Sequence, residues 1–546
     1  MRLRFATFLA SALFTGSGLL PFASLGFVAD AQAVQVAWGE RVAFERRITS
    51  FKVFNADNDD KPVLERRFDR PRPSADLPYP TVLPALDVVA SDPISEEAFF
   101  VPLTAAERET YVNRGRVELR LEGAPMVVLE PYGAVLAGQV HVLAGVQGSC
   151  GRPGGFIRFL DDVPSPFSTL ETLGVQLTDN ASLCHAIFDI GAQDTGEALA
   201  KLAAVLDPFP AYTGLLGDAG FVLDKNSLSS LDPPPRGVKS IDPSCDQIEK
   251  WLDPFGANGY GLISRAQLRG DLGVTGAGFT GLGVDVVIIG GGVGQNDDVR
   301  CIDALGTTFF RGHDTHVRNI IQAIAPDVSF QAFKVCNAEG ACSSAEIVRA
   351  LLQTLALARQ NPQTLVNMSL GGPLPDRPTF EVLNLLGRRF GVSAVVSGGN
   401  GPFAPAHYPA SYSSGVASPS APSLTNVIAV AATGLRTDAD GGGNAGYVIA
   451  GFNTRANADF FAPGVNLCLG AAQTFRCDTA ASAPFPTNLG ATGSSFAAPV
   501  GTGLAALYLE AQGATPAELR ACLRRNALTD AVTGLEYVAF GSVACP

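Results

Sequence analysis

Two residues in this chain stand where they could do chemistry together. His313 lies in His313-Asp314-Thr315-His316-Val317 and opens a stretch whose Val317, Ile320, Ile321 and Ile324 share one helical face. Ser495 lies in Gly493-Ser494-Ser495-Phe496-Ala497-Ala498-Pro499 and opens a second helix, marked by Val500, Leu504 and Leu507. A serine at a helix start has a backbone N–H with no intrahelical acceptor, and that N–H can donate to a developing oxyanion. A nearby imidazole can take the hydroxyl proton. Asn400 follows Gly398 and Gly399 after an apolar strand at 392–396, so its amide could be a second oxyanion donor. Taken singly, each has a plainer reading: Ser495 as a helix cap, His313 as a core or surface histidine, Asn400 as a turn residue.

The elements that must position these residues are legible from about Ile241 onward. A continuous apolar run at Val284–Ile289 fits a strand buried on both faces. Phe330–Val335, Thr364–Met368 and Val392–Val396 read as further strands, and Ile347, Leu351 and Leu355 are spaced for a helix between them. Thr515 and Glu518 form a capping box with Pro516 at the first helical position. Alternation of this kind predicts an α/β fold with a doubly wound, mostly parallel sheet, whose sites lie at the carboxyl ends of the strands.

The chain upstream has a different grammar. Arg2 and Arg4 precede an apolar stretch broken by Gly16, Gly18 and Pro21, and Ala31-Gln32-Ala33 supplies a small-x-small cleavage site. Residues 1–33 therefore read as a secretory signal peptide, which predicts a secreted or periplasmic protein with no stable membrane insertion after cleavage. From 34 to 240 the fold is uncertain and expected to be α+β. Strands are expected at Arg116–Leu121 and Val140–Leu143, a helix at Glu197–Leu206, and an extended Pro-rich linker at about 66–95. Pro233-Pro234-Pro235 and Gly237 mark a boundary, leaving 241–546 as a separate domain.

Composition narrows the partners. The 546 residues carry a net charge of −13 with only 39 Lys and Arg, which argues against a broad nucleic-acid surface. An even count of 10 cysteines in an exported chain reads as disulfides rather than zinc, since no Cys-x-x-Cys spacing is present. Proximity suggests Cys336 with Cys342, Cys468 with Cys477, Cys522 with Cys545 and Cys150 with Cys184, leaving Cys245 and Cys301 for each other.

The order of the motifs resembles that of the subtilisin-like serine proteases, the subtilase family, over roughly Tyr260 to Leu528. Thr280–Val284 through Val293 is similar to the family's first strand, and His313–Val317 to its histidine block. Asn367–Gly372 resembles its substrate-binding strand, Gly399-Asn400 its oxyanion block, and Gly493–Pro499 its serine block. Ala462-Pro463-Gly464 is a further match. The resemblance implies Ser495 as nucleophile, His313 as general base, and Asn400 with the Ser495 N–H as oxyanion hole. It also implies that Ser369, Leu370 and Gly371 pair with an extended polypeptide substrate, and that Gly398 and Gly399 wall the pocket for the side chain before the scissile bond. His407 falls near the floor of that pocket, where it also reads as a plain loop histidine. The resemblance leaves room for calcium, but the sequence shows no ligand cluster, and neither a metal nor another cofactor is expected.

One departure stands out. The family's catalytic aspartate position holds Gly290, followed by Gly291 and Gly292. In Ser-His-Asp enzymes, subtilisin among them, loss of the acid costs about 10⁴-fold in turnover. Asp285 is about 16 Å away along the strand and faces the other side. Asp314, adjacent to His313, reads as poorly placed to hold the ring from behind. Asp297 and Asp298, equally placed in a following loop, are the candidates for a substitute. Asp314 also replaces a glycine, and Arg318-Asn319 a small pair, which questions close helix packing near the histidine. The glycine run itself is similar to a dinucleotide fingerprint, but Gln295 stands where its third glycine belongs and no amphipathic helix follows. The expectation is a monomeric serine endopeptidase, attenuated by the missing acid, with residues 34–240 as a propeptide or accessory region. The alternative is an inactive fold of the same kind that binds peptides or proteins.

Overall fold

The computed structural model describes most of residues 133–231, 260–469 and 491–541, with the backbone of four strands upstream of 133. The expected signal peptide, the boundary at 233–237, Asp297, Asp298, Cys245, Cys477 and Cys545 lie outside the described residues.

The upstream strands are β1 (Ile48–Asn55), β2 (Asn58–Arg72), β3 (Val117–Leu121), β4 (Val127–Glu130), β5 (Gly133–Gln147), β6 (Ser168–Thr178), β7 (Ala181–Asp189) and β8 (Phe221–Leu231). They form an antiparallel sheet with helices α1 (Phe156–Leu160) and α2 (Thr195–Leu206). The expected strands and helix of this region are present. The stretch read as linker from 66 is corrected in part, because residues 66–72 belong to β2 and pair with β1. Proline is tolerated there because β2 is the edge of the sheet.

Downstream, the chain runs through β9 (Ile263–Ser264), α3 (Arg265–Asp271), β10 (Asp285–Gly290), β11 (Arg300–Ile302), β12 (Thr308–Arg311), α4 (His313–Ile324) and β13 (Ser329–Lys334). Next come β14 (Ala341–Ser343), α5 (Ser344–Ala358), β15 (Thr364–Met368), β16 (Leu370–Gly371), α6 (Arg377–Phe390) and β17 (Ser393–Ser397). Strands β18 (Val427–Thr437), β19 (Asn444–Ile449) and β20 (Phe460–Pro463) lead to helices α7 (Ser494–Gln512) and α8 (Pro516–Arg525). Seven of these strands assemble into a second sheet in the order β13-β10-β15-β17-β18-β19, with β20 also on β18. All its pairs are parallel except β18 with β19.

The continuous apolar run of β10 has its cause in this layering. Val286 and Ile288 enter one core with Val317 of α4 and Leu504 of α7. Val287 and Ile289 enter the other with Leu351 of α5 and Leu386 of α6. That second core continues into the upstream sheet through Leu143, Val175, Leu183 and Val222, so the two sheets share one apolar interior. The caps follow the sequence. Thr515 and Glu518 close a capping box, Asp376 caps α6 by accepting from the Thr379 N–H, and left-handed Gly391 ends α6. Disulfides join Cys150 to Cys184 and Cys336 to Cys342, and Cys468 and Cys522 are also disulfide-bonded.

Candidate active site

His313 is the first residue of α4 and is buried. The apolar stripe of α4 presses onto α7, where Gly503 lets the helices approach: a Cβ there would come within 2.8 Å of Ile324. The polar substitutions at 318 and 319 do not prevent this approach. Arg318 lies partly buried, with its guanidinium over the Phe330 ring.

The structure corrects the reading of Asp314. Its Oδ1 is 2.8 Å from His313 Nδ1, and its Oδ2 accepts the Gly292 N–H at 3.2 Å. Side chains at successive positions within a helix point apart, which is why the pairing was not expected. Here both residues stand in the first turn, where side chains lean toward the N-terminus and off the helix end. The carboxylate is 1% exposed, in the first turn of the helix. Gly290 makes the room: a Cβ at that position would lie 2.3 Å from Asp314 Oδ2. Gly292, at φ +98°, turns its N–H toward the same oxygen in a conformation that suits glycine. Asp285 is at the far end of β10, bonded to Asn361 and Ser329.

Ser495 is the second residue of α7, after Ser494 and the cap Gly493. Gly493 has φ +150°, and a Cβ on it would press to 3.1 Å from Asn400 Nδ2. Pro499 has no N–H to return to the Ser495 carbonyl four residues back. The Ser369 hydroxyl replaces it, donating to that carbonyl at 2.7 Å, while the Ser495 hydroxyl donates to the Ser369 carbonyl at 3.2 Å. Asn367 donates to Ser369 Oγ at 2.9 Å and accepts from Thr502 at 2.8 Å, tying strand to helix once more.

Asn400 accepts the Ser494 N–H at 2.8 Å through Oδ1, so its amide nitrogen is the donating atom toward the start of α7. The rings of His313 and Phe496 lie 5.2 Å apart between centroids. His316 meets the same Phe496 ring edge-on; burial, with His313 beside it, lowers its pKa to about 3, which keeps it neutral.

The strand Ser369-Leu370-Gly371 already pairs. The end of β8 lies antiparallel to β16, Leu370 opposite Leu231 and Gly371 opposite Ser230. On its other side β8 pairs with β14, Ala341 opposite Ser230. A segment of the chain itself therefore occupies a slot between two strand edges, in the manner of an added strand.

His407 fills the gap beside this slot. A Cβ on Gly371 would meet His407 Nε2 at 2.1 Å, and one on Gly399 would meet His407 Cγ at 2.9 Å. The backbone of residue 407 is held by Ser411 in both directions, and Gly372 pairs with Tyr408. Gly398 donates to the Val430 carbonyl at 2.9 Å, and the Gly399 carbonyl accepts from Asn453.

The structure thus brings His313, Ser495, Asn400, Ser369, Leu370, Gly371, Gly398 and Gly399 to one end of the parallel sheet. Asp314 was weighed in the sequence and set aside, and the bonding roles of Ser494, Asn367, Thr502 and Asn453 were not foreseen. A sequence signal existed for Asp314: a carboxylate gained beside the histidine as a side chain is lost at residue 290. For calcium, among the described residues no three His, Cys, Asp or Glu converge as ligands. Among the same residues no helix is long and apolar enough to cross a membrane.

The chain was also compared with known proteins. Residues 294–541 match the model of the subtilase family. The match begins after Gly290, so β10 lies outside it. The minor extracellular protease Epr of Bacillus subtilis is 27% identical over 208 residues, covering 35% of this chain and 28% of that protein. The M-protease of Shouchella clausii is 28% identical over 303 residues, covering 51% of this chain and 67% of that protein. Fervidolysin of Fervidobacterium pennivorans, a keratinolytic enzyme related to subtilisin, aligns over 74% of this chain and 60% of its own, at TM-score 0.46 and 16% identity. Over residues 294–541, then, the chain is similar to the subtilase family.

Proposed function

We propose that the protein is an exported serine endopeptidase acting on extended polypeptides. Ser495 attacks the scissile carbonyl, His313 takes the hydroxyl proton and later gives it to the leaving amine, and Asn400 with the Ser495 N–H stabilises the oxyanion. The observation that carries this reading is the reciprocal bonding of Ser369 and Ser495. It fixes the serine to the strand on which an added peptide pairs, so a bound backbone and the attacking oxygen share one frame.

Residues 34–240 act in this reading as a propeptide or accessory region. The support is β8, whose end fills the slot at β16 and keeps substrate out until it leaves. Export is supported by the N-terminal apolar stretch and by the disulfides. His407 narrows the gap between Gly371 and Gly399, which favours a small side chain before the scissile bond.

Labelling with a fluorophosphonate probe tests the assignment. Wild-type protein is expected to be modified at Ser495, and the Ser495→Ala variant to be unmodified. A wild type that resists the probe at every pH, or labelling that persists in the variant, would end it.

A further inference from the structure

We infer that Asp314 has taken over the positioning role of the acid that Gly290 cannot supply, so that the triad runs Ser495, His313, Asp314. The inference rests on the peptidase function just proposed and assigns the third member of its site. Three observations carry it. The Asp314 carboxylate is 2.8 Å from His313 Nδ1, the nitrogen that must keep its proton if the other is to accept one from the serine. The same carboxylate accepts the Gly292 N–H and is buried, so its orientation is fixed from the side away from the imidazole. And it fills the volume in which a side chain on residue 290 would sit, at 2.3 to 2.9 Å from a Cβ built there. The acid has moved from the end of β10 to the first turn of α4, while the place of its carboxylate next to the strand end is kept.

The chemistry balances without any further group. As the Ser495 Oγ–carbon bond forms, the carbonyl π pair moves to oxygen and the hydroxyl proton passes to His313 Nε2. Asp314 stays a carboxylate throughout, accepting the Nδ1–H and stabilising the imidazolium. When the C–N bond breaks, the Nε2 proton leaves with the amine.

Three measurements on the full chain test this. The first is peptide hydrolysis by Asp314→Asn, expected to lose about 10⁴-fold in kcat with KM within a few-fold, a magnitude carried over from Ser-His-Asp enzymes. The second reads the pair without needing activity: in Ser495→Ala, the His313 Nδ1–H is expected as a strongly downfield proton resonance that disappears when Asp314→Asn is added. The third is the exchange Gly290→Asp with Asp314→Gly, expected to regain most of the rate lost in Asp314→Asn, and it reports independently if that single variant does not fold. Failure of the peptidase reading shows as a wild type inert to fluorophosphonate, with the resonance still reporting on the pair. An Asp314→Asn protein that keeps wild-type turnover, pH profile and downfield resonance would overturn the assignment.

Discussion

The carboxylate of Asp314 occupies the space that a side chain on residue 290 would need. A Cβ on Gly290 would stand 2.3 Å from Asp314 Oδ2 and 2.9 Å from its Cγ. Glycine at 290 is thus the complement of aspartate at 314.

Gly290→Ala is the smallest test of that complement. The added methyl must displace the carboxylate or the strand, which costs about 1–3 kcal/mol for overpacking in a filled interior. The melting temperature is expected to fall and the labelling rate of Ser495 with it. Gly290→Asp alone is expected to give no gain, because it forces two buried carboxylates together. A large gain from that single change would mean that the natural protein lacks a working acid.

The Ser369–Ser495 frame makes a separable prediction. Ser369→Ala leaves the Ser495 carbonyl without the donor that Pro499 also denies it, a loss of about 1–3 kcal/mol. In that background Pro499→Ala supplies an N–H and is expected to recover part of the stability. Thermal unfolding of the four proteins in the cycle gives the coupling. Strict additivity would contradict the substitution of the Ser369 hydroxyl for the missing helix N–H.

Asn400→Ala is expected to lower kcat by about 10²–10³-fold, the range for removing one oxyanion-hole donor. Loss of the acceptor for Ser494 N–H adds a stability cost, so kcat is best compared well below the melting temperature. An unchanged kcat would remove Asn400 from the oxyanion hole.

His407→Ala opens the gap between Gly371 and Gly399. Cleavage of a peptide library is expected to shift toward larger side chains before the scissile bond, by about 10-fold or more per added group that gains burial. An unchanged profile would place the specificity pocket elsewhere.

Acid is expected to loosen the upstream sheet. His141 bridges His185 at 3.0 Å and Asp376 at 2.8 Å, linking β5 and β7 to the start of α6. Burial, with His141 beside it, holds His185 well below its ordinary value, so the folded state binds fewer protons than the unfolded one. The stability contributed by a neutral His185 is therefore present above about pH 6.5, the unfolded histidine value, and is lost as pH falls below it. Burial pushes the Asp376 carboxyl up, but His141 and Thr379 outweigh it and hold it low, so its contribution also fades toward acid. Melting of the full chain from pH 7 to pH 5 is expected to show a falling midpoint, with a shallower slope in His185→Gln. A midpoint independent of pH in the wild type would contradict this.

Much of the frame was legible because periodicity reports burial. The strands at 285–290, 364–368 and 393–397 and the box at Thr515 and Glu518 follow from local pattern. The candidate site was legible to the extent that its proposed residues sit in short motifs, as Ser495, His313 and Asn400 do. Asp314 was not, because helix periodicity separates neighbours, and only the actual helix start lets both side chains lean to one side. The His141–Asp376 contact was not either, since it joins positions 235 residues apart. The slot occupied by β8 depends on a sheet that crosses from one region to the other, which no local pattern encodes.

The most direct test is the rate at which Ser495 reacts with a fluorophosphonate in wild type and in Asp314→Asn, at equal protein and neutral pH. A triad of Ser495, His313 and Asp314 predicts labelling of the wild type and a slowing of about 10⁴-fold in the variant. Equal rates in the two proteins would contradict it.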